Sequence, residues 1–219
     1  MNRNLHVINF GKKEFSDFYK LNYRMWLQRV ANDISDTIIF VEHPHVILVG
    51  KAGNVKEIMI PSALNRREEI PVYEVDWDGS STYRGPGQLV IYPIVHLSRH
   101  GIKEEEFKKK VEDVLIRLLS KYGIKGEPRP GENGVWVAGH KIASIGIEVC
   151  QQVTRHSISL NVNPRLSLFR MLQSSGGATP QVTSMYHLLK KKIDTKVLKI
   201  QFADLFQNEF GLKAEIISS

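Results

Sequence analysis

Two segments combine residue types suited to holding and activating a ligand. The first, Thr82-Tyr83-Arg84-Gly85-Pro86-Gly87-Gln88-Leu89-Val90, sets a Gly-Pro-Gly turn between two β-rich runs. Glycine lets the main chain approach a ligand where a side chain would block it, so the turn is expected to aim backbone N–H groups at a bound group. The second, Lys141-Ile142-Ala143-Ser144-Ile145-Gly146-Ile147-Glu148, opens on a lysine and continues through small residues that leave room for a ligand. A lysine desolvated beside such a ligand can act as a general base. Taken alone, a lysine at a strand start is ordinarily solvated, and Thr82, Tyr83 and Ser144 read as strand or turn residues with satisfied hydroxyls. His156 by itself reads as a structural histidine.

These segments need a sheet to position them. Ser16 to Asn32 carries Phe18, Leu21, Met25, Leu27 and Val30 at helical spacing and predicts an amphipathic helix. Residues 37–41 and 46–50, separated by Glu42-His43-Pro44-His45, predict two strands joined by a tight turn. Residues 72–75 and 88–93 predict strands flanking the glycine-rich loop. Glu104 to Tyr122, with Phe107, Val111, Val114, Leu115, Leu118 and Leu119 on one face, predicts the strongest helix, stopped by Gly123. Residues 134–137, 141–149 and 156–162 predict short strands, with Ala138-Gly139-His140 as a hairpin turn between the first two. Helices are expected at 184–190 and 196–208, beyond a glycine-containing loop at 173–180. Strands and helices mix without strict βαβ alternation, so the expected class is α+β, a mostly antiparallel or mixed sheet flanked by helices, in a single domain spanning residues 1–219.

Composition narrows the function. At 219 residues with 42% hydrophobic and 24% charged residues, the chain can bury one sizeable core and has no apolar run near the roughly 20 residues that span a bilayer. Its first residues lack the apolar stretch of a signal peptide, so a cytoplasmic protein is expected. The single Cys150 excludes an intrachain disulfide framework and a multi-cysteine metal site, and reads as a small buried or edge hydrophobe. A net charge of +7 calls for an acidic partner. The triplets Lys108-Lys109-Lys110 and Lys190-Lys191-Lys192 each read alone as solvated surface. No ribonucleoprotein motif or zinc finger accompanies them, which favours an acidic protein over nucleic acid.

Four segments, in order and spacing, resemble the octanoyltransferase family. They are Glu42-His43-Pro44 with Gly50, Asp76 to Gln88, Lys141 to Gly146, and Thr154-Arg155-His156 with Leu160-Asn161-Val162, and the likeness extends to Val182-Thr183-Ser184-Met185. The resemblance implies the fold shared by biotin and lipoate protein ligases. It also implies transfer of an octanoyl group from acyl carrier protein to a lysine of a lipoyl domain in lipoate assembly, without metal, nucleotide or other cofactor. In the family a cysteine thiolate takes the acyl group and the target amine then attacks, with the strand lysine moving protons. Lys141 matches that lysine and Ser175 stands where the family has its cysteine. The resemblance further implies substrate contacts from Trp77, Asp78, Gly79, Ser80, Ser81, Thr82, Tyr83, Arg84 and Gly85, from Ser144, Ile145 and Gly146, and from His156, Ser157, Ile158 and Ser159. Backbone N–H groups near Gly146 are expected to form an oxyanion hole. Arg84 and Arg155 are expected either at the surface or on the carrier's phosphopantetheine phosphate. The family usually has Arg-Gly-Gly at Trp77-Asp78-Gly79 and histidine at Arg84. The serine leaves two other readings open, an ATP-dependent lipoate or biotin ligase and a non-catalytic protein that binds acyl chains or lipoyl domains.

Overall fold

The computed structural model describes residues 4–58, 70–172 and 181–217, so Ser175 lies outside the described residues. In chain order the first strands are β1 (Asn4–Lys12), β2 (Asp36–Glu42), β3 (Val46–Val49), β4 (Val72–Glu74), β5 (Ser81–Arg84) and β6 (Gln88–Ile94). The rest are β7 (Glu127–Arg129), β8 (Glu132–Val137), β9 (His140–Ile145), β10 (Glu148–Cys150), β11 (Val153–Arg155), β12 (Ile158–Asn161) and β13 (Lys213–Ile217). The α-helices are α1 (Phe15–Val30), α2 (Glu104–Ser120), α3 (Met185–Leu189) and α4 (Thr195–Phe210). Among the described residues, eight strands form one mixed sheet in the order β13-β1-β2-β6-β12-β9-β8-β7. Strands β13, β1 and β2 run parallel and the remaining pairs are antiparallel. A smaller sheet, β4-β3-β5, and the β10-β11 hairpin stand beside it.

Successive strand residues face opposite sides, and the large sheet is apolar on both. Ile38 and Phe40 of β2 join Leu115, Phe202 and Phe206 under α2 and α4, while Ile39 and Val41 join Phe18 and Trp26 under α1. Three glutamates open α2, where the helix dipole favours them. Gly123 then takes a left-handed φ of +72°, and the N–H of Ile124 returns to the Leu119 carbonyl, as the expected stop requires.

Three expectations change. Helix α1 buries Phe15, Phe18, Asn22, Trp26 and Arg29 and leaves Leu27 exposed. The turn of its face follows from a buried ion pair in which Arg29 Nε lies 2.7 Å from Asp36 Oδ1, tying the last helical turn to the start of β2. Strands β2 and β3 do not form a hairpin: they belong to different sheets. Pro44 holds the residue before it extended and lacks an N–H, so the chain runs on from one sheet to the other. The lysine strand ends at Ile145, where the Gly146 N–H makes the last in-register bond to β12 at the Ser157 carbonyl, and the chain resumes as β10 at Glu148 paired with β11 in a separate hairpin. Strands β1, β7, β11 and β13 lie outside the predicted elements. The predicted hairpin is present, with Ala138 and Gly139 at φ of +48° and +81°.

Candidate active site

The chemistry of Lys141 depends on an irregularity in its strand. Residues 141 and 144 are three apart, so a regular strand would send their side chains to opposite faces. Pairing instead runs Gly134 with Ser144, Val135 with Ala143, then Trp136 with Lys141, leaving Ile142 as an extra residue. This bulge turns Lys141 onto the face that carries Ser144 and, across β12, Ser159, opposite the helix-side core that holds Ala143 and Val135. Lys141 Nζ sits 4.6 Å from the Trp136 ring centroid and 3.5 Å from Glu132 Oε2. Arg129 shares the same carboxylate, at 3.1 Å, and lies over the same indole. These side chains with Gln181 and Val182 line a hollow of about 490 Å³. The Lys141 N–H donates to Gln181 O and the Thr183 N–H donates to Lys141 O, so the chain re-enters beside the lysine six residues after Ser175 in sequence.

The loop after β4 is latched by ionic contacts. Tyr19 Oη donates to Asp76 Oδ1 at 2.7 Å, and Arg155 donates to Asp76 Oδ2 at 2.7 Å and to Glu148 Oε2 at 3.1 Å. Glu148 also accepts the Asp78 N–H, and Lys51 pairs with Asp78. Burial pushes the Asp76 carboxyl up, but the Tyr19 hydrogen bond and the neighbouring His156 and Arg155 outweigh it and hold the group below its ordinary value. The Trp77 ring meets His156 edge-on at 5.9 Å, and burial lowers the His156 pKa against the pull of Glu148 and Asp76. A Cβ at Gly50 would collide with the Gly79 carbonyl and the Trp77 indole, so that glycine lets the loop lie flat on β3. Arg155 is thus held by two carboxylates and is not a loose surface charge.

Arg84 is buried and has no carboxylate partner among the described residues. Its Nη1 donates to Thr82 Oγ1 at 2.9 Å and Ser159 Oγ at 3.1 Å, while its Nε has no partner among the described residues. Burial pulls the guanidinium down to about 10, which leaves it charged at neutral pH. His43 stands nearby with Nδ1 donating to Lys13 O and Nε2 accepting from Tyr92 Oη, both at 2.8 Å. Burial, opposed by the Lys13 hydrogen bond and reinforced by Arg84, lowers His43 to about 4, so the ring is neutral. Ser157 lies against the Tyr92 hydroxyl in the same buried network.

The structure therefore gathers the sequence candidates into two groups. Thr82, Arg84, Ser144, Ser157 and Ser159 line the interior face, and Trp77, Asp78, Gly79 and His156 belong to the latched loop beside them. Tyr83 is buried against Phe169 and His45. Ile145 and Ile158 pair with each other inside the core beneath α2 and α4. The Gly-Pro-Gly turn does not present the expected free donors: Gly85 N–H goes to Gln88 Oε1 and Gly87 N–H to Glu42 Oε2. Gly85 is needed because a Cβ there would strike the Tyr83 ring. Nor is the Gly146 N–H free for an oxyanion, since Ser157 holds it. Sequence reasoning missed Arg129, Glu132 and Trp136, although a two-residue turn at 138–139 already places 136 opposite 141. The ionic partners Tyr19 and Glu148 carried no comparable signal.

The description "lipoyl protein ligase A/B catalytic domain" fits residues 18–207 of this chain. An octanoyltransferase of Syntrophobacter fumaroxidans is 36% identical, over 88% of this chain and 85% of its own. One from Caldicellulosiruptor saccharolyticus is also 36% identical, over 98% and 92%. Among solved structures, a lipoate-protein ligase A bound with ATP superposes with a TM-score of 0.77 at 10% identity, covering 100% of this chain and 90% of that one. The bipartite lipoate protein ligase of Thermoplasma acidophilum gives 0.76 at 11% identity, covering 100% and 88%. At that identity the likeness concerns the fold alone.

Proposed function

Because the chain belongs to the lipoyl protein ligase A/B catalytic domain family, we propose that it is an octanoyltransferase of lipoate biosynthesis, passing octanoyl from acyl carrier protein to a lysine of a lipoyl domain in the cytoplasm. The observation that carries this reading is 36% identity to an octanoyltransferase along nearly the whole chain. In the overall step the carbon–sulfur bond of the carrier thioester breaks, a carbon–nitrogen bond to the target lysine forms, and the amine proton passes to the departing thiolate. Lys141 is the residue proposed to move that proton, its side chain reaching the site through the β9 bulge. Arg84, whose Nη1 holds Ser159 and whose Nε has no partner among the described residues, is proposed to meet the acyl carbonyl oxygen. Ser175 is proposed either as an acyl-accepting hydroxyl activated by Lys141, or as a bystander to direct attack by the amine.

The test mixes the protein with octanoyl carrier protein and a lipoyl domain, with and without ATP, and follows intact masses. ATP-independent octanoylation of the domain is the expected result. Octanoylation only from free octanoate and ATP would make the chain a ligase, and retention of the acyl carrier protein without turnover would make it a binding protein. An adduct on the enzyme that Ser175→Ala removes and Ser175→Cys restores identifies a covalent route. Full activity of Ser175→Ala identifies direct transfer.

A further inference from the structure

A hollow of about 600 Å³ opens between α4 and the β13–β1 end of the large sheet. Its walls are apolar: Val7, Phe40, Ala203 and Ala214 line it, and Ile200 and Ile216 stand at its mouth with 58% and 79% of their surface exposed. Lys196 and Lys199, three apart on α4, lie on the same helix face along one end. Lys199 is half-buried, and its ammonium donates to Asn9 Oδ1 at 2.9 Å, a neutral amide. Burial pulls this amine below its ordinary value, with Glu42 acting the other way. A cation partly withdrawn from water beside an apolar cleft, with only an amide on it among the described residues, suits an anionic head whose tail lies along the cleft. Asp204, toward the other end of α4, already accepts a hydrogen bond from Gln207 and would repel a head placed there.

We propose that this cleft binds a medium-chain alkyl carboxylate, with Lys199 and Lys196 on the carboxylate and Val7, Ile200, Ala203 and Ile216 along the chain. The site is separate from that of Lys141 and does not rest on the transfer reaction. Strand β9 lies four strands from β1 in the sheet, and Val7 and Phe40 face the helix side that Ser144 faces away from. Charge complementarity selects the occupant, since an apolar peptide or a neutral lipid would leave Lys199 without a counter-charge.

Titration calorimetry of the full chain with octanoate, decanoate and dodecanoate below their micelle concentrations, alongside methyl NMR, tests the site. Affinity is expected to rise about fourfold per added methylene, with shifts at the Val7, Ile200 and Ile216 methyls. Lys199→Gln is expected to weaken decanoate at least tenfold, leave 1-decanol unchanged and leave octanoyl transfer at the wild-type rate. Ile200→Glu, an exposed position that the fold tolerates, is expected to weaken both ligands. The proposal is overturned if decanoate and decanol bind the unaltered protein equally well. It is also overturned if affinity ignores chain length, or if the shifts are confined to Val182 beside Lys141.

Discussion

At Lys141 the contacts made by the side chain are modest. A 3.5 Å ion pair to a half-exposed Glu132 and a cation–π contact to Trp136 together stabilise the fold by about 1 kcal/mol or less. Lys141→Ala is therefore expected to melt within a few degrees of the unaltered protein yet lose transfer by about a thousandfold or more, read by a lipoyl-domain octanoylation assay. Wild-type transfer by that variant would remove Lys141 from the site. Arg84 is different because it is buried and its charge is unpaired among the described residues. Arg84→His, which brings in the residue the family usually has, is expected to retain transfer, whereas Arg84→Met is expected to lower kcat by about a hundredfold, the scale of removing one donor from a developing oxyanion. Equal activity of the two variants would assign Arg84 to packing alone.

Two elements set the geometry of those residues: the bulged hairpin β8-β9 and the loop that follows β4. The hairpin puts Trp136 and Glu132 around Lys141, β7 adds Arg129, and the bulge chooses the face. The loop is held by Arg155 between Asp76 and Glu148 and by Tyr19 on Asp76. Asp76 is about half exposed, so the latch adds little to global stability. Its expected consequence is positional: Arg155→Met should raise KM for the acyl donor about tenfold while moving kcat far less and the melting temperature by only a few degrees. A variant with unchanged KM would show that the loop is ordered by Trp77 and Gly50 without the ionic latch.

Over the whole molecule, buried titratable groups shape stability against pH. His43 takes up a proton near 6.5 when unfolded but only near 4 when folded. Between those values the unfolded chain binds the extra proton, so stability is fully present above about pH 6.5 and declines toward pH 4, by on the order of 3 kcal/mol. Denaturant melts across that range should show the decline, and His43→Gln should flatten it. Asp36 acts at lower pH. Burial raises its carboxyl, but His100, the His96 N–H and Arg29 together hold it below the ordinary aspartate value. Its share of stability is present above about pH 3.9 and is lost only as pH falls further through the depressed folded value. The net charge of +7 gives a second global prediction: KM for an acidic carrier should rise with salt, because attraction is screened over about 8 Å at physiological ionic strength. A KM that ignores salt would count against an acidic donor.

The sequence by itself determined the periodic elements and the order of the ligand-facing segments. Helices α2 and α4 carry their apolar residues at helical spacing, and Gly123 and Gly139 punctuate where their backbone demands, so local rules sufficed for them. The motifs from Glu42 to Met185 were enough to indicate the family, because their residue types and intervals survive without knowledge of contacts. Only the tertiary structure decided which sheet β3 joins, since strand pairing is a long-range choice that neither flanking turn encodes. It also decided that the Gly-Pro-Gly and Gly146 N–H groups are already spent, because their acceptors come from Gln88, Glu42 and Ser157. The same holds for Lys141: a strand read as strictly alternating puts it on the wrong face from Ser144, and one unpaired residue, visible only once β8 and β9 are aligned, brings them together.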